Sequence, residues 1–123
     1  MIDKINIDEK FSLFSEHWRP KIVAELNGQE FKIVKFQGEY PFHAHENEDE
    51  MFFVWKGEME LDFEAGDTVT LREGEAIVVP KGVVHRPRAE KECQVFLIEP
   101  ADTKNNGTTT VGAKYNAPNG VKI

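Results

Sequence analysis

The chain of 123 residues has only one cysteine, Cys93, so no disulfide bond can form within it. Cys93 lies in the apolar run CQVFLIE, where a thiol usually serves as a small buried hydrophobic group. No apolar run approaches the roughly 18 residues of a membrane-spanning helix. The first residues, MIDKINIDEKF, also lack signal-peptide character. We therefore expect a cytoplasmic protein with no membrane partner.

Positive charge is also scarce. The chain has 15 Lys and Arg residues against 22 Asp and Glu residues, which gives a formal net charge of -7. Nucleic-acid binding needs a basic surface that displaces counterions, so we expect no nucleic-acid partner. The sequence also shows neither a nucleophile–base pair nor a glycine-rich phosphate loop. These absences argue against a serine or cysteine hydrolase and leave a small molecule as the expected ligand or substrate.

Short β-type runs separated by regular turn signals dominate what is present. The runs are MFFVW, MELDF, DTVTL, AIVV and CQVFLI, and the turns between them contain Gly, Pro, Asn or Asp. This spacing predicts an all-β sandwich or barrel in a single domain. Asn27 and Gly28 favour a type I′ turn, so the segment KIVAELNGQEFKIVKF is predicted to be a β-hairpin.

The N-terminal and C-terminal segments differ from this pattern. The stretch IDEKFSLFSEHW predicts either a short helix with Asp8 as its N-cap or an irregular segment packed on the sheet. In the helical alternative, one face carries Phe11, Phe14 and Trp18. We expect residues 1–20 to pack on a barrel formed by residues 21–100. Residues 101–123 form a tail, rich in Asn, Gly and Thr, that wraps over the domain or is partly disordered.

Metal-binding side chains are concentrated in the stretch YPFHAHENEDE. Because side chains alternate along a strand, His43 and His45 face the same way and can bind one ion. Glu50 begins the apolar strand that follows, and His85 lies 35 residues further on. Imidazoles with a carboxylate suit divalent Fe, Mn, Ni, Cu or Zn. Three other carboxylates could take the place of Glu50: Glu46, Glu48 and Asp49.

The spacing around these residues resembles the two motifs of the cupin family. The residues that match the first motif are Gly38, His43, His45, Glu50 and Gly57. The residues that match the second are Gly74, Pro80, Gly82 and His85. Two departures occur: the first glycine is followed by four residues rather than five, and Ala89 stands where the family usually has asparagine. The likeness extends from about Lys21 to Pro100 and is greatest to small single-domain cupins, including those named mannose-6-phosphate-isomerase-like.

The resemblance implies a jelly-roll β-barrel with a metal held inside it by His43, His45, Glu50 and His85. It also implies a homodimer. If Glu50 points inward, alternation turns Phe52 and Val54 inward as well. The outward residues of this strand would then be Met51, Phe53 and Trp55, which must be covered by the N-terminal segment or by a second subunit.

The remaining signals near the motifs are read as structural. Arg86 and Arg88 flank His85 and should face away from it, as a solvated or interface pair. The shortened spacing after the first motif glycine indicates a tight turn at Gly38. Gly57 is expected to end its strand at a hairpin, Gly74 to open a turn, and Pro80 to interrupt the sheet before His85.

Three functions fit the residues. The first is a metal-dependent enzyme of the isomerase or dioxygenase type that acts on a small organic molecule. The second is a non-catalytic module that binds a sugar or another metabolite, and the third is a structural barrel with a vestigial site. The catalytic residues, the metal and the substrate stay undetermined at this point, and no cofactor other than a metal is expected.

Overall fold

A computed structural model describes residues 2–104, 107 and 120–123. A short helix, α1 (Ile7–Phe11), is followed by seven strands that carry the fold. They are β1 (Lys21–Leu26), β2 (Gln29–Glu39), β3 (Glu50–Lys56), β4 (Glu58–Phe63), β5 (Thr68–Arg72), β6 (Ala76–Val79) and β7 (His85–Pro100). A two-residue strand, β8 (Val121–Lys122), pairs in parallel with β1. The predicted all-β class with one short helix is confirmed.

Strand β7 organises the sheet because it is long enough to cross two layers. Its first residues pair with β4, its later residues pair with β3, and β2 runs antiparallel beside both parts. On one side β3 pairs with β6, and on the other β4 pairs with β5. The predicted hairpin of β1 and β2 is confirmed, with positive φ angles at Asn27 and Gly28.

The core lies between these layers and follows the alternation of the strands. In β3, Phe52 and Val54 are buried while the residues between them are only partly buried, as the sequence predicts. Leu61, Val95 and Leu97 face the same interior and are at most 2% exposed. Cys93 is also fully buried, which fits its expected role as a packed thiol. Apolar burial of this kind provides the main stabilisation of the barrel.

The N-terminal segment differs from the prediction in detail. The helix is capped by Asn6, whose side chain accepts a hydrogen bond from the Glu9 amide, so the expectation of an Asp8 cap is wrong. Asp8 instead accepts a hydrogen bond from the indole of Trp55, across to β3. Since the helix ends at Phe11, Trp18 does not share a helical face with it. Trp18 has a φ of 63° and stacks on Phe36 at 4.4 Å between ring centroids.

Two glycines also lie in places that the sequence did not indicate. Gly57 does not join a hairpin, because β3 and β4 pair with different parts of β7 rather than with each other. It marks the point where the chain passes from one layer to the other. Gly38 lies inside β2, at a bulge where the pairing with β7 shifts by two residues, rather than in a turn between strands.

Most of the predicted C-terminal tail, residues 105–106 and 108–119, lies outside the described residues. The described part of the tail begins with Ala101 and includes Thr103, which is 1% exposed. In the part of the chain that the structure covers, no helix has the length and apolar character needed to cross a membrane.

Candidate metal centre

Three segments of the barrel bring the four predicted ligand residues together. His43 forms an isolated antiparallel bridge with His85, the first residue of β7. His45 follows two residues later, and Glu50 is the first residue of β3. One ligand atom from each of the four side chains lies within 4.8 Å of all the others. All four residues are at most 3% exposed, so the group lies inside the protein.

Hydrogen bonds set the orientation of two of the imidazoles. The Nδ1 atom of His43 lies 3.0 Å from the carbonyl oxygen of Pro41, and that of His85 lies 2.8 Å from the carbonyl oxygen of Val83. A carbonyl oxygen can only accept a hydrogen bond, so Nδ1 carries the proton in each ring. The lone pair of Nε2 is then available to bind a metal ion. Histidines that bind metals usually anchor their second nitrogen in this way.

The third imidazole and the carboxylate complete the fit to a cation. Both ring nitrogens of His45 are buried and make no hydrogen bond to the described residues. Glu50 Oε1 lies 3.4 Å from Nε2 of His45 and 3.3 Å from Nε2 of His85. A buried polar atom without a hydrogen-bond partner carries a free-energy cost that a metal ion would remove. The residues present therefore could hold a divalent metal.

Burial and neighbouring charges shift the pKa values of three groups in the site. Burial, together with the charge of His85, lowers the pKa of His43 to about 4, so this ring is neutral near pH 7. Burial opposes ionisation of Glu50, but attraction to the His45 and His85 rings, whose Nε2 atoms lie 3.4 and 3.3 Å from Oε1, outweighs it and holds the Glu50 pKa well below its usual value. Burial likewise opposes protonation of His45, yet the attraction of the Glu50 carboxylate, whose Oε1 lies 3.4 Å from Nε2, raises the His45 pKa overall.

The other candidate ligands and the nearby charges lie elsewhere. Asp49 accepts a hydrogen bond from the Lys81 amide, and neither it nor Glu46 or Glu48 joins the four converging residues. As predicted, the Arg86 and Arg88 side chains leave the site and bind Asp62. These two arginines with Asp62 form an ion-pair network on β4 and β7.

A narrow cavity with free space of about 10 Å³, enough for about one water molecule, adjoins the site. Two of the four residues, His43 and Glu50, form part of its wall. The rest of the wall is aromatic or apolar: Trp18, Phe36, Tyr40, Phe52, Pro87 and Leu97. Such a lining excludes water and strengthens electrostatic interactions with any polar group inside it.

A buried ion pair next to the site was not predicted from the sequence. Lys32, on β2, donates a hydrogen bond of 3.0 Å to Glu99, on β7, and both are at most 1% exposed. The only sequence signal was the position of each charge at an inward-facing place in its strand. Lysine and glutamate are so often solvated that alternation alone does not single them out.

Comparison with known proteins agrees with this architecture. The sequence model of the Cupin domain family matches residues 31–99. YdbB, an uncharacterised protein of Bacillus subtilis strain 168, is 35% identical over 83 residues, which is 68% of this chain and 67% of YdbB. A cupin-2 domain protein from Shewanella frigidimarina NCIMB 400 is 46% identical, and its crystal structure matches with a TM-score of 0.76. The match covers 78% of this chain and 93% of that one.

The fold is shared with a characterised enzyme as well. Hydroquinone 1,2-dioxygenase from Sphingomonas sp. TTNP3, solved with 4-hydroxybenzoate bound, matches with a TM-score of 0.73. The match covers 82% of this chain and 33% of the dioxygenase, and at 19% identity it shows a common fold alone. Taken with the family match over residues 31–99 and the two closer relatives, these findings show that the chain belongs to the cupin family, as a small single-domain cupin.

Proposed function

We propose that the protein binds one divalent transition-metal ion through His43, His45, Glu50 and His85 and uses it to act on a small organic molecule. The observation that carries this proposal is the convergence of four buried ligand atoms within 4.8 Å. When bound, an ion of this type supplies Lewis-acid polarisation of a substrate oxygen or, if it is redox-active, reactivity toward dioxygen. Isomerase and dioxygenase chemistry both fit the ligand set.

The side chains around the four ligands would bind and orient the substrate. Phe52 packs edge-on to the His85 ring at 5.9 Å, and Tyr40 packs edge-on to the His43 ring at 5.0 Å. These contacts hold the imidazoles in place and keep water away from them. The lining of the cavity favours an occupant with an apolar or aromatic body.

The charge distribution around the cavity argues against a sugar phosphate as the substrate. None of the described residues in the cavity wall is a lysine or an arginine. Arg86 and Arg88 bind Asp62, and Lys32 binds Glu99, so their cationic groups already have anionic partners. A phosphate in an apolar pocket needs a cationic or amide cradle. We therefore favour an uncharged or singly charged substrate over mannose 6-phosphate, even though mannose-6-phosphate-isomerase-like cupins share the sequence motifs.

A non-catalytic binding protein is the second candidate, and the same cavity supports it. Apart from the proposed ligands, Tyr40 is the one titratable residue in the described wall. A reaction that needs a separate general acid or base would find few groups to use. Binding through the metal alone requires none.

Metal analysis followed by activity assays would test the proposal. The purified protein should contain about one equivalent of a transition metal per chain, and His45→Ala should contain far less. Metal-loaded protein would then be incubated with small phenols, hydroxy acids and sugars, with and without oxygen. Oxygen-dependent turnover supports a dioxygenase, and oxygen-independent turnover supports an isomerase. Tight binding without turnover supports the second candidate, and absence of any bound metal would refute both.

We also infer a cytoplasmic homodimer. On the outer face of β3, Met51, Phe53 and Trp55 are only partly buried, and α1 reaches Trp55 through Asp8. Val78, which pairs with Met51 across β6 and β3, is 55% exposed. A second copy would cover this apolar surface. Sedimentation analysis should give a dimer that Val78→Lys weakens, whereas a monomeric wild-type protein would contradict this inference.

A further inference from the structure

A charged cluster lies inside the barrel at the end of the strands that carry the site. Lys32 is 0% exposed and Glu99 is 1% exposed, with 3.0 Å between Lys32 Nζ and Glu99 Oε1. Lys32 also donates a hydrogen bond of 3.2 Å to the carbonyl oxygen of Thr103. The second carboxylate oxygen of Glu99 is buried and has no hydrogen-bond partner among the described residues.

Stability alone does not account for this pair. Moving two charged groups out of water costs free energy that their mutual attraction often fails to recover. Apolar residues of similar volume are frequently as stable or more stable at such positions. Here the arrangement is also incomplete, because one Glu99 oxygen lacks a partner. A buried pair of this type therefore calls for a role beyond holding the fold together.

The strand register connects the pair to the metal centre. Met51 of β3 pairs with Ile98 of β7, so the next residues in the antiparallel register are Glu50 and Glu99. Both side chains are buried inside the barrel. Two neighbouring carboxylates repel each other unless a cation or a shared proton lies between or beside them. Lys32 is the cation that the fold places there.

We propose that the Lys32–Glu99 ion pair is a positioning element for the metal centre, which holds the Glu50 carboxylate with Oε1 toward the imidazoles. This inference rests on the proposed function, because it assigns a role in metal binding. Lys32 fixes Glu99 through a direct hydrogen bond, and Glu99 lies opposite Glu50 in the continued register of β3 and β7. Glu50 is thereby confined to the orientation in which Oε1 approaches His45 and His85.

The test is the double variant Lys32→Met/Glu99→Leu, studied with Co²⁺. It removes one positive and one negative charge, so the net charge near the site is unchanged. The measurements are the Co²⁺ dissociation constant by competition titration, the visible absorption spectrum of bound Co²⁺, and the urea midpoint of the metal-free protein. We expect a midpoint at or above that of the wild type, Co²⁺ binding weakened about 10- to 100-fold, and an altered spectrum.

A matched control distinguishes the loss of this particular ion pair from the general effect of removing any ion pair. Asp62→Leu/Arg88→Met removes a pair on the outer surface of β4 and β7 and should leave the Co²⁺ affinity and spectrum unchanged. If the Lys32 double variant does not fold, Glu99→Gln takes its place. That change removes the nearest anionic partner of Lys32, at 3.0 Å, and leaves Glu30, at 3.8 Å. Lys32 can then attract Glu50, so we again expect at least tenfold weaker Co²⁺ binding.

The outcomes separate this inference from the proposed function. A wild-type protein that binds no Co²⁺ refutes the metal centre itself. A wild-type protein that binds Co²⁺, together with a Lys32 double variant (or Glu99→Gln in its place) of unchanged affinity and spectrum, overturns the positioning role alone. Equal weakening in the Asp62 control would also overturn it, since the effect would then not be specific to this pair.

Discussion

His43 and His85 bind each other through their main chains in both directions. The amide of His43 donates to the carbonyl of His85, and the amide of His85 donates to the carbonyl of His43, each at 2.9 Å. In an antiparallel pair this pattern places the two side chains next to each other on the same face. The ring centroids are 4.4 Å apart as a result. The separation of the two imidazoles is therefore set by backbone pairing, before any ion is bound.

Removal of one of these imidazoles should abolish most metal binding. We expect His85→Ala to weaken Co²⁺ or Zn²⁺ binding by more than about 100-fold, because loss of an outer-shell contact alone costs 10- to 100-fold. Competition titration with a chelator of known affinity would measure the change. His17→Ala is the matched control, since His17 pairs with Glu92 at the surface and lies outside the four-residue group. A similar loss in both variants would contradict the proposed ligand set.

Metal affinity should fall as the pH is lowered. A ligand nitrogen must be unprotonated, and Glu50 raises the pKa of His45 in the metal-free protein despite its burial. Below that pKa, a proton must leave His45 for each ion bound, so affinity should fall by about tenfold per pH unit. His43, with a pKa of about 4, should not add to this slope until the pH approaches that value. Titrations between pH 5.5 and 8 would measure the slope, and a flat profile would be inconsistent with His45 as a ligand.

Asp62 should stabilise the fold at neutral pH and lose this effect in acid. Hydrogen bonds from Arg88, then Thr68 and Arg86, hold the Asp62 pKa well below its usual value in spite of some desolvation. The stabilisation is therefore complete above the unfolded pKa of about 3.9 and decreases as the pH falls below it. We expect Asp62→Asn to lower the free energy of unfolding by about 1–2 kcal/mol at pH 7, since the arginines are partly screened by water.

Urea unfolding of metal-free protein at pH 7 and pH 3 would measure this difference. The gap between wild type and Asp62→Asn should become smaller at pH 3. Glu58→Gln is a suitable control on the same strand, because Glu58 forms an exposed ion pair with Arg72 that should contribute less than about 1 kcal/mol. A gap that stays constant with pH would show that the carboxylate charge of Asp62 is not the source of the stabilisation.

Alternation along strands was sufficient to predict the inward side of β3, on which Glu50 lies. Glu50, Phe52 and Val54 are buried together because successive side chains of a strand take opposite faces. The spacing of the glycine and histidine residues then related His85 to the other three. The alternation rule works here because each of the four residues lies in or next to a regular strand. The apolar side chains of that strand determine which of its faces points inward.

Features that depend on pairing between distant strands could not be predicted in the same way. The Lys32–Glu99 pair joins residues 67 positions apart, and neither charge has a local signal. The Asn6 cap was missed since Asn and Asp are about equally good caps, so sequence preference could not separate Asn6 from Asp8. The bulge at Gly38 was predicted as a turn because a glycine with positive φ serves both structures.

The role of Gly57 gives a last prediction, because it differs from that of a turn glycine. Gly57 and Gly28 have similar positive φ angles, 90° and 79°. An alanine in this region costs about 1–2 kcal/mol at either position. At Gly28 an added Cβ meets no atom within 4 Å, so Gly28→Ala should destabilise the protein by this conformational term alone.

At Gly57 the crossing strand adds a second cost. A Cβ there would lie 3.2 Å from the Glu92 carbonyl oxygen and 3.3 Å from Cys93 Cα, which are backbone atoms of β7. Backbone atoms that are fixed by strand pairing cannot move aside as a flexible side chain can, and overpacking typically costs a further 1–3 kcal/mol or so. We therefore expect Gly57→Ala to lower the free energy of unfolding by about 2–4 kcal/mol, measured in urea beside Gly28→Ala. Equal losses in the two variants would mean that β7 gives way freely and that Gly57 is needed only for its φ angle.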